Sequence, residues 1–109
     1  MADRVVIWGD ENNSMGGGSW RDEIVCTRRK DGTFSLRPRK VGDDGTDSMA
    51  GKTRISSPEV FVQTLIEIGR LFYAEIEPGE IATEVCGRLD AVDREFSSRV
   101  RSLCSRASS

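Results

Sequence analysis

The stretch "GTDSMAGKTR", residues 45–54, comes nearest to a phosphate grip, with Gly45 at one end and Gly51-Lys52-Thr53 at the other. Such a loop needs G-x4-G-K-[ST], because the intervening backbone N–H groups must ring the phosphates while the lysine reaches round to them. Here five residues, Thr46 to Ala50, separate the glycines, and Asp43, Asp44 and Asp47 would repel a phosphate. The stretch therefore reads as a polar connector, and what stays open is whether Lys52 and Arg54 extend a basic surface. Asp10-x-Asn12-x-Ser14 echoes the first three oxygen ligands of a calcium loop. Its later positions should be glycine at 15 and glutamate at 21, where this chain has Met15 and Arg21. No metal site is expected.

Catalytic chemistry is narrowed further by composition. There is no histidine, which removes Ser-His and Cys-His nucleophile pairs, the imidazole base and the commonest metal ligand together. Paired carboxylates or an activated lysine would remain, but no spacing supports either. The three cysteines, Cys26, Cys86 and Cys104, form no CxxC pair and are too few and too scattered for a disulfide framework. They read as small buried hydrophobes. Cys86 and Cys104, if set on one helix, lie roughly 27 Å apart at 1.5 Å per residue and out of bonding reach. A non-enzymatic protein without a cofactor is expected.

Binding chemistry is better represented. Arg28, Arg29, Lys30, Arg37, Arg39 and Lys40 give residues 24–41 a net charge of +5 in a chain whose total is −2. Guanidinium groups on a β-ribbon can neutralise phosphates or meet acidic protein surfaces. Thr27, Thr33 and Ser35 would add hydroxyl donors. The chain as a whole is acidic, with a pI near 5.2, which is not the footprint of a typical nucleic-acid binder.

These side chains need elements to hold them. Val5-Val6-Ile7-Trp8 reads as a strand ending at Gly9-Asp10, followed by a loop containing Gly16-Gly17-Gly18. In "WRDEIVCTRRKDGTFSLRPRK", residues 20–40, a three-residue turn Lys30-Asp31-Gly32 with Gly32 left-handed pairs Cys26 with Leu36. That register puts Ile24, Phe34 and Pro38 on one face and Thr27, Arg29, Thr33, Ser35, Arg37 and Arg39 on the other. Pro38 cannot donate to a ladder, which places this strand at a sheet edge. Residues 41–56 read as a flexible linker loop.

A helix starts at Ser56 or Ser57, with Ser56-x-x-Glu59 as a capping box and Pro58 in the first turn. Its stripe is Val60, Phe61, Thr64, Leu65, Ile68, Leu71 and Phe72, and Val62, Ile66 and Tyr73 extend apolarity to a second side. Ile81, Val85, Leu89, Val92, Phe96, Val100 and Leu103 then recur at helical spacing. A straight helix from Pro78 to Cys104 would run about 40 Å, too long for so small a domain. It must kink, with Gly87 a weak point, or lay Val92, Phe96, Val100 and Leu103 on a partner.

The expected fold is α+β: a three-stranded antiparallel sheet from residues 4–40, then two C-terminal helices, the last one long, in a single domain 1–109. The expected role is protein binding as a small accessory subunit, inhibitor or immunity-type partner, through the basic hairpin and the apolar helix faces. The partner is another protein, a second copy included. The alternative is a nucleic-acid-binding module using hairpin 28–40. No segment is long and apolar enough to span a membrane, and the N-terminus lacks a signal-peptide apolar run, so a cytoplasmic chain is expected. Trp8 and Trp20 are core edges or interface anchors.

Overall fold

The computed structural model describes residues 3–13, 19–42, 47–49 and 53–108. Strands β1 (Arg4–Asn13), β2 (Ser19–Arg28) and β3 (Phe34–Gly42) form an antiparallel meander, and two short strands, β4 (Asp47–Met49) and β5 (Thr53–Ile55), both pair with β3. The sheet is therefore four strands across rather than three, its last position shared by β4 and β5. Helix α1 (Pro58–Leu71) follows. Then α2 (Pro78–Glu80), a π-helical turn (Ile81–Val85) and α3 (Cys86–Leu89) run on as one rod, and α4 (Arg94–Ser108) ends the chain.

The hairpin register agrees with the side-chain pattern. Cys26 faces Leu36 and Arg28 faces Phe34. The turn Lys30-Asp31-Gly32 is closed by Arg29 N–H to Thr33 O at 2.8 Å and by Gly32 N–H to Arg29 O at 3.1 Å. Gly32 sits at φ +87°, a conformation a Cβ would strain. The Asp31 carboxylate fixes the turn by accepting from Thr33 N at 3.0 Å and from Thr33 Oγ1 at 2.6 Å.

β3 is not an edge strand. Pro38 is tolerated because β4 pairs with residues 39–41 and β5 with residues 34–36, so the missing N–H falls where the fourth column is interrupted. The expected linker 41–56 therefore contains two strands. Ile55 is fully buried, and this apolar contact anchors β5 and the entry to α1. Residues 43–46 and 50–52, with Gly45, Gly51 and Lys52, lie outside the described residues, as does the triple-glycine loop. What is described of "GTDSMAGKTR" is two strands, which no phosphate ring would use. Asp10 and Asn12 likewise lie in β1, which runs on past Gly9 to Asn13, so the calcium-loop echo has no loop there.

Ile24, Cys26, Phe34 and Leu36 form the inner face of the sheet, and the helices close over it. A bulge between Val6 and Trp8 turns both Ile7 and Trp8 inward. Phe96 of α4 stacks on Phe34 at 4.3 Å and meets Phe61 edge-on at 5.4 Å, tying sheet, α1 and α4 together. Ser57, not Ser56, caps α1 by accepting from Val60 N at 3.3 Å.

The single long helix expected from Pro78 to Cys104 is broken between Leu89 and Arg94. Asp93 accepts from Phe96 N at 3.0 Å and so caps a new helix. The two halves fold back on each other. Ser97 Oγ donates to Cys86 O at 3.0 Å, and Arg101 donates from Nε to Ala82 O at 3.2 Å and from its two terminal nitrogens to both oxygens of Asp90. The stripe periodicity survives because both halves face the same core. Ile81, Val85, Leu89, Val92 and Val100 are fully buried. The fold-back also corrects the expected 27 Å separation of Cys86 and Cys104 along one helix, since the two now stand on separate helices packed into one core. All three cysteines are buried and outside any disulfide. Burial pushes the Cys26 thiol up to about 12, too high for a nucleophile at neutral pH.

Candidate binding face of the sheet

The helices pack on one side of the sheet and no described helix covers the other, where Arg4 and Arg54 are exposed, Arg21, Arg29, Arg37 and Arg39 half-buried, and Glu23, Val25 and Ser35 buried between them; antiparallel registers decide what this side carries. Residues paired across the strands share a face. One row runs Arg4, Thr27, Ser35, Arg54, the next Val6, Val25, Arg37, and the next Gly9, Glu23, Arg39. Arg21 and Arg29 have the same parity. At about 4.8 Å between strands, the first row spans roughly 14 Å, wider than one phosphate or carboxylate. Among the described side chains of this face are six arginines and one glutamate, Glu23, and Arg21, Arg37, Arg39 and Arg54 each already have an interaction partner.

The face is held in place from within. Glu23 accepts from Arg39 Nε at 3.0 Å and from Arg21 Nε at 3.0 Å. Burial raises its carboxyl, but the hydrogen bonds and charges of Arg39 and then Arg21 outweigh that and hold it below the ordinary carboxylate range. Arg21 lies against Gly9, where a Cβ would stand 2.4 Å from its Nη2. Gly9 is therefore the floor under a guanidinium, not a turn. Val25 is only 2 % exposed although it stands outside the helix-side core; long arginine stems cover apolar surface while their heads stay wet. At the hairpin end Arg54 pairs with Asp31 and donates to Thr33 Oγ1 at 3.3 Å.

The sequence-derived basic set is divided by this geometry. Arg29, Arg37 and Arg39 share the open face and Lys30 is exposed in the turn. Arg28 and Lys40 have the opposite parity. Lys40 lies 5.0 Å over the Trp20 ring and 3.9 Å from the buried Asp22. Three arginines missing from that set, Arg4, Arg21 and Arg54, join the face; Arg54 answers the question left by the connector. Arg21 could have been found by carrying the hairpin parity back along β2, whereas Arg4 reaches the face only through the pairing of β1 with β2.

The helical interface candidates stand elsewhere. Val92 and Val100 are fully buried, and Phe96 is 8 % exposed inside the aromatic cluster. Leu103 is half-buried beside Pro58, Arg99 and Arg106 in a shallow groove. Trp8 is a core residue whose Nε1 donates to Glu80 Oε2 at 3.1 Å. Among the described residues no cluster of three or more acidic or cysteine side chains could hold a metal ion, and no helix is long and apolar enough to cross a membrane.

No protein-family model, curated protein or solved structure matches this chain.

Proposed function

We propose that this chain is a non-enzymatic binding protein that meets an acidic protein partner through the open face of its sheet, as a small accessory subunit, inhibitor or immunity-type partner. The observation that carries this reading is the convergence of Arg4, Arg21, Arg29, Arg37, Arg39 and Arg54 on one helix-free face. Arginine suits protein contacts because its planar fork meets carboxylates in pairs and sheds water easily. The lack of histidine weighs against a hydrolytic or transfer role. Burial of Val92, Phe96 and Val100 shifts the expected contact from the helix stripe to the sheet.

Nucleic acid is the second reading, favoured by the row Arg4, Thr27, Ser35, Arg54, in which one guanidinium stands at each end of a pair of hydroxyl residues, both being side-chain types that bond phosphates. Three features favour protein over it. Glu23 sits amid the arginines, the described residues of the face include no aromatic for base stacking, and the chain is acidic overall.

The test is an affinity pull-down from the native host with nuclease-treated and untreated arms, using wild type and the Arg29→Glu/Arg37→Glu double variant. The expected result is a protein captured in both arms and lost with the double variant. Capture abolished by nuclease supports the nucleic-acid reading instead. Capture unchanged in the double variant removes the sheet face from either.

A further inference from the structure

Tyr73 ends α1 in a manner that works against its own chain. It lies in the left-handed region at φ 58°, the position where helices commonly finish on glycine. Tyr73 N–H donates to Arg70 O at 3.0 Å and Ala74 N–H to Gly69 O at 2.9 Å, the two bonds of a complete C-terminal wrap. A Cβ in that conformation crowds the following carbonyl, so glycine would serve the wrap better. The tyrosine gains nothing from the fold in return. It is 99 % exposed, and Leu71 beside it is 69 % exposed. Phe72, between them, packs on Trp8 at 6.1 Å. Backbone strain and a bare aromatic at one residue mark a binding anchor.

The surroundings state what it would bind. Glu67, Glu75 and Glu77, all within six residues of it along the chain, are exposed, with Arg70 the one base in residues 67–77, and the carbonyls at the helix end add partial negative charge. An aromatic ring with an acidic rim fits a surface of arginines, which can both stack on the ring and pair with the rim. The open sheet face described above is such a surface. We propose that Tyr73 and Leu71 of one chain seat on the arginine face of a second copy, so that copies associate head to tail. The proposal rests on the sheet face being a protein-binding surface and names its occupant. Knob and face are different surfaces, so the contact is heterologous and leaves a free knob and a free face at the ends of every assembly. The contact area is small, so association is weak and dependent on concentration.

Sedimentation equilibrium of the purified full chain tests this. At low salt the weight-average mass should climb above 12.1 kDa with concentration and fall back as salt screens the charges. Tyr73→Gly should be monomeric yet melt a few degrees higher, because strain is relieved while the anchor is lost. Arg29→Glu/Arg37→Glu should also be monomeric. Mixed together, these two variants should form a dimer and nothing larger, since one supplies the intact face and the other the intact knob. A wild type that stays monomeric to millimolar concentration overturns the proposal, as does a Tyr73→Gly variant that associates like wild type. Assembly that stops at a two-fold dimer in the wild type overturns it as well. Monomeric wild type together with a pull-down partner lost on Arg29→Glu/Arg37→Glu would sink this proposal alone and leave the sheet-face reading standing.

Discussion

Gly69 has no side chain because Ile76 fills the space one would take. A Cβ there would stand 2.7 Å from Ile76 Cδ1 and 2.9 Å from its Cγ1, and Ile76 is itself buried in the core. Gly69→Ala should therefore lower stability by about 1–3 kcal/mol, the usual cost of overpacking, read as a drop in urea midpoint at unchanged slope. Gly9 is tight in a different way, since its neighbour is the movable end of Arg21. Charge also acts at this scale. Asp90 is held below its ordinary value of 3.8, first by hydrogen bonding from Arg101, whose two terminal nitrogens reach both carboxylate oxygens. A depressed folded pKa means that ionised Asp90 adds stability above its unfolded value, and that this share is lost as pH falls through the folded value. Asp90→Asn should accordingly be less stable than wild type at pH 7, with the gap narrowing as pH falls below the ordinary value of 3.8. A gap of constant size would show that the carboxylate's charge is not what latches α4. The pair is only half-buried, which limits the size of the effect.

Elements differ in how openly the sequence announces them. The β2–β3 hairpin was legible because only one turn length puts Cys26, Phe34 and Leu36 on the same side. The helical stripe from Ile81 to Leu103 was legible as a stripe but not as two helices, because the break at 90–93 leaves its spacing intact. The signal lay in Asp93, an N-cap residue type three places before Phe96, and was masked by good helical periodicity on either side. Asp93→Ala should cost about 1 kcal/mol by leaving the first turn of α4 uncapped. Circular dichroism melts would show the loss, and an unchanged midpoint would mean that packing alone sets the break. β4 and β5 were not legible at all. Three-residue strands are too short to show alternation, and Pro38 argued for an edge that they in fact cover in part. Arg29, Arg37 and Arg39 followed from hairpin parity, whereas Arg4 and Arg54 reached the same face through pairings that sequence period does not encode.

For the whole molecule the important fact is that charge is sorted by side. The open sheet face holds six of the arginines, while residues 56–109 carry nine acids against six bases. A net charge of −2 thus conceals two surfaces of opposite preference, and any partner that reads the basic one should associate more slowly as salt rises. The fold also has a direction in time. Phe96 touches Phe34 and Phe61, while Val100 and Cys104 are buried in the same core, so the last helix supplies contacts that the sheet and α1 have awaited since their own synthesis. Until α4 leaves the ribosome, the inner face of the sheet and the apolar side of α1 lack their cover, and a chain cut short before Arg94 would expose Phe34 and Phe61 to whatever chaperone or neighbour arrives first.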